Sequence, residues 1–155
     1  MLVDMETSQA QAEKLLRLVG LCYEYAYLTG RLRVGLHLGL AQAARLGSLR
    51  KILESPGERR CHRRLPVAIP IVLKTASGFR RAMLLNVSGG GMFVATDETV
   101  AAGENVLVKI GGQVEYSFPC RVCWTADGGG ARGLGLQMTG IPVEIRRGAP
   151  RAALS

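Results

Sequence analysis

The sequence predicts a mainly β fold: a small closed barrel of six antiparallel strands, preceded by an α-helical hairpin. Three observations lead to this prediction. Apolar residues within 1–56 recur at helical spacing. The segment Ser55-Pro56-Gly57 then interrupts that pattern. From residue 57 onwards, short β-rich runs alternate with glycine-rich turns.

The first predicted helix lies within residues 8–30. Ser8 and Gln11 have the spacing of a capping box, and Thr29-Gly30 is a typical helix end. Between these signals, apolar residues follow the i, i+3, i+4, i+7 pattern of one helix face: Ala12, Leu15, Leu16, Val19, Cys22, Tyr23 and Ala26.

The stretch that begins at Arg31 has two interpretations. Its leucines alternate as they would in a strand, yet Leu32, Leu36 and Leu40 are also spaced by four. The alanine- and leucine-rich run that follows, up to Leu49, contains no β-branched residue. That composition favours a second helix.

Small residues recur every four positions in this second stretch, at Gly35, Gly39, Ala43 and Gly47. Such a stripe lets another helix approach closely. Because two short helices bury little area alone, the hairpin is expected to dock on the barrel or to dimerise. Residues 8–53 are therefore interpreted as an arm for self-association or for a protein partner, and a purely structural cap is the alternative.

Six strands are predicted beyond the linker, each bounded by a turn that contains glycine or serine. A two-residue hairpin is expected at Gly111-Gly112. The predicted strands cover residues 67–74, 81–87, 91–95, 105–110, 113–124 and 133–138.

The fifth predicted strand places four apolar residues on one face, namely Phe118, Cys120, Val122 and Trp124. Arg121 and Cys123 then point outwards. Cys120-Arg-Val-Cys123 is formally a Cys-x-x-Cys pair, which Cys61 and His62 would complete as a zinc set. Strand residues three apart point to opposite faces, however, and metal-binding pairs normally lie on turns. No metal site is predicted.

The chain of 155 residues carries a net charge of +8 and has a pI near 9.9, which favours anionic partners. Its first residues are polar and acidic, unlike a signal peptide. Charged residues interrupt the apolar stretch 15–49, so no membrane span and a cytoplasmic location are expected. The predicted divisions are a helical extension (1–56), a barrel (57–141) and a basic tail (142–155), whose end from residue 146 is expected to be a frayed helix or disordered.

Four arginines and a histidine crowd into residues 59–64, immediately before the first predicted strand. Guanidinium groups match the oxygens of phosphate and the edge of guanine. The cluster therefore suggests an anion site for a phosphate-bearing ligand. A solvated basic linker, or a tether to nucleic acid or membrane, is the alternative.

A second informative stretch covers residues 86–94. Asn86 and Ser88 alternate with Val87 and would face one side of the sheet, beside a turn of three glycines. An amide and a hydroxyl in that position can bind the polar edge of a flat heterocycle. The alternative is that both side chains only cap the turn.

Arg60-x-x-x-Arg64 followed by Asn86-x-Ser88-x-x-Gly91 resembles the signature of the PilZ domain, Arg-x-x-x-Arg with Asp/Asn-x-Ser-x-x-Gly. The resemblance covers about residues 58–140 and includes Gly133-Leu-Gly135-Leu, after a strand that ends in Trp124. It implies a six-stranded β-barrel that binds cyclic di-GMP.

The resemblance also implies roles for single residues. Arg60 and Arg64 would grip the ligand, Asn86 and Ser88 would hydrogen-bond a guanine edge, and Gly91 would leave room for it. Asn86 stands where many members have aspartate. Weaker binding is therefore implied, because an amide lacks the charge assistance of a carboxylate.

Arg59 occupies a position where, in PilZ-like proteins, an arginine accompanies an intercalated ligand dimer. The resemblance thus implies two ligand molecules. His62 and Arg63 are expected to face solvent or to flank the site.

Residues and resemblance together predict a bacterial cyclic di-GMP receptor, in which ligand bound at the arginine segment reorients the helical arm relative to the barrel. The sequence offers no convincing acid–base pair, activated nucleophile or P-loop, so neither an enzyme nor a cofactor is predicted. A PilZ-fold adaptor that acts by protein contacts, with weak or no nucleotide binding, is the alternative. Nucleic acid is not the expected partner, because few aromatic side chains are available for stacking.

Overall fold

The computed structural model describes residues 2–54, 62–112, 114–128 and 131–146. Within these ranges, two helices precede seven strands. In chain order the elements are α1 (Leu2–Arg33), α2 (Leu40–Leu53), β1 (Leu65–Thr75), β2 (Gly78–Val87), β3 (Gly91–Ala95), β4 (Asn105–Gly111), β5 (Val114–Gly128), β6 (Ala131–Met138) and β7 (Val143–Arg146).

The antiparallel strands close into a barrel, which confirms the predicted fold class. Neighbours pair in the order β4-β1-β2-β3-β6-β5, and a further pairing of β5 with β4 completes the ring of six among the described strands. β7 pairs with residues 114–117 of β5, of which 115–117 pair on their other side with β4. β7 was not predicted, and the remainder of the expected tail, 147–155, lies outside the described residues.

The barrel interior is filled by alternate residues of each strand. β1 shows this best, because Val67, Ile69, Ile71 and Leu73 are buried while the residues between them are exposed. The opposite wall uses Phe118, Cys120 and Val122 of β5, which are buried as predicted, with Val106, Val108 and Ile110 of β4 and Leu134 and Leu136 of β6.

A β-bulge interrupts the alternation in β2. Leu84 pairs with Val94 of β3, but Asn86 pairs with Phe93, the very next residue of that strand. Leu85 is therefore an extra residue, and Asn86 moves to the outer face of the sheet.

A second bulge has the same effect in β5. Val122 pairs with Leu136 of β6 and Trp124 pairs with Gly135, so Cys123 is the extra residue. The prediction that Trp124 shares the inner face was wrong: its side chain lies outside and is 47% exposed. The physical reason is the inserted residue, which shifts the two-residue period by one position.

The first helix is longer than predicted. It runs through Thr29-Gly30 to Arg33, and it begins at Leu2, so Ser8 lies inside the helix and not at its start. The chain leaves the helical conformation at Gly35, whose φ of +85° is the left-handed geometry that often follows a helix end.

The second helix begins later than predicted, at Leu40 instead of Arg31. Gly39 is its N-cap residue, and the N–H of Gly39 donates to Oε1 of Gln42 at 3.1 Å. Gly35 and Gly39 therefore lie in the connection between the helices. The predicted stripe of small residues along one helix was wrong.

The hairpin docks on the barrel through one face of α1. Val19 and Cys22 are completely buried, and the ring of Tyr23 lies 4.8 Å from that of Tyr116 in β5. The helices and the barrel share one hydrophobic cluster. Burial of this face stabilises a hairpin that is too short to fold by itself.

The connection between α1 and α2, taken with the adjoining helix ends, leaves apolar side chains exposed. Val34 is 58% exposed and Leu40 is 93% exposed, and Leu32 and Leu36 are also exposed. None of the described helices combines the length and apolar character needed to cross a membrane.

Candidate ligand site

The turn between β2 and β3 is held by the side chain of Ser88. Its Oγ accepts hydrogen bonds from the N–H groups of Gly90, at 3.2 Å, and Gly91, at 3.0 Å. The backbone N–H of Ser88 also donates to the carbonyl of Gly91. This hydroxyl therefore caps the turn, as the second interpretation of the sequence proposed, while remaining at the edge of a cavity.

Close neighbours surround the three glycines of this turn. A Cβ on Gly91 would lie 2.7 Å from the carbonyl oxygen of Leu136 in β6, and one on Gly89 would lie 2.7 Å from the ring of Tyr25 in α1. A Cβ on Gly90 would lie 3.1 Å from Nδ1 of His62, a tight contact that a small shift could relieve. Packing thus accounts for Gly89 and Gly91 without reference to a ligand.

The two bulges align a row of outward-facing residues across four strands. Asn86 of β2 pairs with Phe93 of β3, Phe93 pairs with Gly135 of β6, and Gly135 pairs with Trp124 of β5. The row places an amide at one end and an indole at the other, on the outer face of the barrel.

Two outward glycines of β6 create space for a pair of stacked rings. Phe93 and Trp124 have centroids 5.3 Å apart and planes inclined by 19°. A Cβ on Gly133 would lie 2.2 Å from Phe93, and one on Gly135 would lie 2.1 Å from Trp124. The alternation of glycine and leucine in β6 therefore puts leucines in the core and rings over the glycines.

These residues surround a cavity of about 240 Å³. It brings together four of the six predicted site residues, Arg64, Asn86, Ser88 and Gly91. The other lining residues are Gly90, Met92, Phe93, Cys123, Trp124, Gly135, Leu136 and Gln137. Arg59 and Arg60 lie outside the described residues.

The polar groups of the cavity are available for a ligand. The guanidinium of Arg64 is exposed and the side chain of Asn86 is half-buried, and neither forms a hydrogen bond or ion pair with any residue of the described ranges. A cation, an amide with both donor and acceptor, and an aromatic face can together bind a phosphorylated heterocycle.

The sequence model of the PilZ domain matches residues 58–149, more than half of the chain. The chain belongs to the PilZ family. PilZ domains are generally receptor domains for cyclic di-GMP or adaptor domains. None of the curated proteins matches the sequence significantly.

Solved structures with a similar fold include other PilZ proteins. The inhibitor of motility MotI/DgrA of Bacillus subtilis aligns with a TM-score of 0.48 and 17% identity, over 54% of this chain and 44% of its own. The PilZ domain of CeSA from a cellulose-synthesising bacterium aligns with a TM-score of 0.40 and 20% identity, over 50% of this chain and 80% of its own. The chain therefore spans less than half of the length of MotI/DgrA.

The sequence reasoning missed two aromatic residues of the candidate site. Trp124 was assigned to the core, and Phe93 was treated only as the start of a strand. One signal was present in the sequence: the outward glycines at 133 and 135 leave empty positions that neighbouring rings can cover.

His62 was also underestimated, since it does not simply face solvent. The hydroxyl of Tyr25 donates to Oε2 of Glu54 at 2.6 Å and lies 2.9 Å from Nε2 of His62. Because the hydroxyl proton is used towards Glu54, the His62 N–H donates to the tyrosine oxygen. Tyr25 of α1 thus links Glu54, at the end of α2, to His62, which precedes β1.

Backbone contacts also join the end of α2 to His62 and Arg63. Glu54 and His62 form an antiparallel bridge, and the N–H of Arg63 donates to the carbonyl of Leu53 at 2.7 Å. Glu54 and His62 therefore lie next to each other, beside the turn between β2 and β3.

The two buried cysteines contribute no nucleophile to the site. Burial raises the pKa of the Cys22 thiol to about 12 and that of the Cys120 thiol to about 12, so both are protonated near neutral pH. Cys123 is exposed at the rim of the cavity, and its thiol points to Gln137 Oε1 at 3.7 Å. Cys120 and Cys123 thus face opposite ways, as expected for this strand.

Proposed function

We propose that this PilZ protein is a bacterial cyclic di-GMP receptor of the cytoplasm, without catalytic activity or cofactor. The observation that carries the proposal is the convergence of Arg64, Asn86 and Trp124 on one outward cavity. The arginine binds phosphate, the amide binds the edge of a guanine and the indole stacks on its face.

Arg59 and Arg60 complete this proposed site. Both precede His62 in the sequence, within a few residues of Arg64. Two ligand molecules are proposed to bind, since the cluster then neutralises more phosphate charge. In this arrangement Arg60 and Arg64 hold the nearer molecule, and Arg59 supports the second.

The contacts around His62 support coupling between the proposed ligand site and the helical arm. His62 touches Gly90 of the turn and bonds to Tyr25 of α1, while Glu54 of the α2 end bonds to the same hydroxyl. A ligand bound by the arginines that precede His62 would therefore act next to a point where both helices meet the barrel. We propose that this shifts the arm between two positions, because binding energy differs between them.

The proposal is tested by isothermal titration with cyclic di-GMP. The wild-type chain should bind, and the double variant Arg60→Ala, Arg64→Ala should not. Arg81→Ala is the matched control, because this exposed arginine of β2 lies away from the cavity. Tight binding by the double variant would refute the site.

An adaptor that works through protein contacts is the second candidate. It is favoured by the exposed apolar connection at Leu32, Val34, Leu36 and Leu40, which offers a surface within residues 8–53 for self-association or a partner. The adaptor predicts a stable oligomer or complex and no heat of binding with cyclic di-GMP. The receptor predicts measurable binding, whether or not the arm associates.

A further inference from the structure

The side of the barrel opposite the candidate ligand site combines cations with exposed apolar side chains. The ligand row crosses β2, β3, β6 and β5, whereas β1 and β4 lie across the ring from β6 and β3. Strand register aligns two rows of residues on this outer surface. The first comprises Arg81, Val72, Lys109, Ser117 and Val143, and the second comprises Phe79, Lys74, Leu107 and Pro119. Together the two rows are called the basic face.

The ring of Phe79 is held between two lysines of the basic face. It follows the turn between β1 and β2 and is 56% exposed. The ammonium groups of Lys74 and Lys109 each lie over this ring, 5.5 Å from its centroid. Two like charges held so close to one point repel each other, so a negatively charged partner would stabilise the arrangement. Val72 and Val143 are exposed beside it and add apolar surface.

The cations of the basic face are not neutralised by carboxylates of the described residues. Lys74, Arg81 and Lys109 form no ion pair within the part of the chain that the structure describes. Glu115 of the neighbouring β5 is buried, and Glu98 is bonded to Arg80. The exposed charge of this face is therefore positive, in a chain whose net charge is +8.

The shape and chemistry of the basic face distinguish between anionic partners. Its residues line neither the cavity of the candidate ligand site nor a second cavity of about 570 Å³ between α1 and the barrel. A ring on this convex wall has to be received by the partner, and a protein would need a matching pocket with carboxylates around it. The ammonium groups cover ring faces on which a nucleobase would stack, which disfavours nucleic acid. A bilayer interface accepts an aromatic ring with flanking lysines and needs no preformed pocket.

We propose that the basic face binds the surface of an anionic lipid bilayer. Phe79 enters the headgroup region, and Lys74, Arg81 and Lys109 lie against the lipid phosphates. The inference goes beyond the proposed cyclic di-GMP site and does not rest on it. Because the two sites lie on opposite sides of the barrel, the ligand cavity of a membrane-bound chain faces the solution.

The test is co-sedimentation of the full chain with vesicles made of equal parts of phosphatidylglycerol and phosphatidylcholine. The chain should bind these vesicles, bind vesicles of phosphatidylcholine alone much less, and lose binding as salt is added. Lys74→Gln with Lys109→Gln should lower the partition constant by about twenty-five-fold, because each cation near an anionic surface contributes about fivefold. Phe79→Ala should lower it as well, through lost apolar contact.

A matched control separates the basic face from the net charge of the chain. Lys14→Gln with Lys51→Gln removes the same charge from exposed positions of α1 and α2 and should bind nearly as the wild type does. Lys74→Arg with Lys109→Arg keeps both charges and should also bind the vesicles. Circular dichroism checks folding, and Phe79→Ala carries the test if the glutamine pair on the basic face unfolds.

Three results would overturn the proposal. The first is no binding of anionic vesicles by the wild type. The second is an equal loss in the glutamine pair on the basic face and in the matched control, which would assign the binding to net charge. The third is binding of oligothymidylate or polyglutamate, lost in the same glutamine pair, without binding of vesicles. Vesicle binding is measured without cyclic di-GMP, so failure of the receptor proposal leaves this one standing.

Discussion

The indole of Trp124 stacks on the ring of Phe93 across a strand that carries glycine between them. The centroids are 5.3 Å apart, although the two residues belong to β5 and β3 and β6 lies between those strands. The pair exists because a bulge turns Trp124 outwards and because Gly133 and Gly135 leave the intervening strand bare. The resulting aromatic surface faces the candidate ligand site.

Trp124 should report ligand binding directly, since it is the single tryptophan of the chain. Its fluorescence should change on addition of cyclic di-GMP as a base stacks on the indole. Trp124→Ala should weaken binding by about 1–3 kcal/mol, the usual loss for one stacked base. Phe79→Ala is the control, because Phe79 is 56% exposed and lines neither cavity. Equal affinity of wild type and Trp124→Ala would contradict stacking.

Gly135→Ala should displace the indole without removing any binding group. The added Cβ would lie 2.1 Å from Trp124, so the ring has to move away from Phe93. We expect a shifted fluorescence spectrum and weaker binding of cyclic di-GMP. Gly112→Ala has open space around the new Cβ and should leave both unchanged. An unchanged spectrum in Gly135→Ala would show that the ring pair has another arrangement.

Tyr25→Phe should weaken the contact between the helical arm and the barrel while keeping the aromatic ring against Gly89. The variant loses the bonds of the hydroxyl to Glu54 and His62, which we expect to lower the free energy of unfolding by about 1–3 kcal/mol. Urea denaturation measures this change. Tyr27→Phe, which loses one 3.5 Å bond from Arg31, should have little effect. A similar loss of unfolding free energy in both variants would contradict a particular role for the Tyr25 hydroxyl in this contact.

Substitution of the exposed apolar connection should reduce association of the arm. Val34→Ser with Leu40→Ser removes two of its most exposed apolar side chains and no buried one. If the arm self-associates, sedimentation equilibrium should show a weaker oligomer for this variant and unchanged stability of the monomer. Ile52→Ser, on another exposed part of α2, is the control. The same oligomer in all three proteins would exclude this connection as the interface.

The stability of the fold should decrease at alkaline pH through its buried thiols. Burial raises the pKa of Cys22 and that of Cys120 from 9.0 to about 12 in the folded chain. Their contribution is therefore fully present below about pH 9 and is lost as the pH rises towards 12, because the unfolded state ionises first.

Urea unfolding at about pH 8 and about pH 10.5 measures this loss. Cys22→Ala with Cys120→Ala should reduce the pH dependence, while Cys123→Ala, at an exposed position, should not. Some dependence should remain, because burial also raises the pKa of Tyr23 and of Tyr116. If the buried-cysteine variant and the wild type lose the same unfolding free energy between these pH values, the buried thiols are not its cause.

The barrel was largely predictable because its strands follow simple periods. β1 alternates buried and exposed residues without interruption, and the turns around it are marked by glycine. The helix boundaries were less accurate. Gly30 suggested a helix end, but it lies within α1, at a position where a Cβ would be 3.2 Å from Ile141. Tertiary packing here outweighs the local preference.

The candidate site was predictable only in its polar half. Asn86 and Ser88 could be placed by alternation and by the resemblance of their motif, whereas Trp124 could not. Its direction depends on one extra residue at Cys123, and the sequence around that residue gives no sign of a bulge. His62 was likewise hidden, because its partners Tyr25 and Glu54 are far away along the chain.

The close contact of Gly89 with Tyr25 has a consequence for how this protein can evolve. Gly89, in the turn between β2 and β3, leaves space for the ring of Tyr25. Tyr25 belongs to α1, which lies outside the signature motif. A side chain at position 89 therefore requires a smaller residue at position 25, and the two positions should vary together among relatives that keep the arm. Gly89→Ala should be poorly tolerated alone and restored by Tyr25→Val, which would identify the arm and the barrel as a single inherited unit.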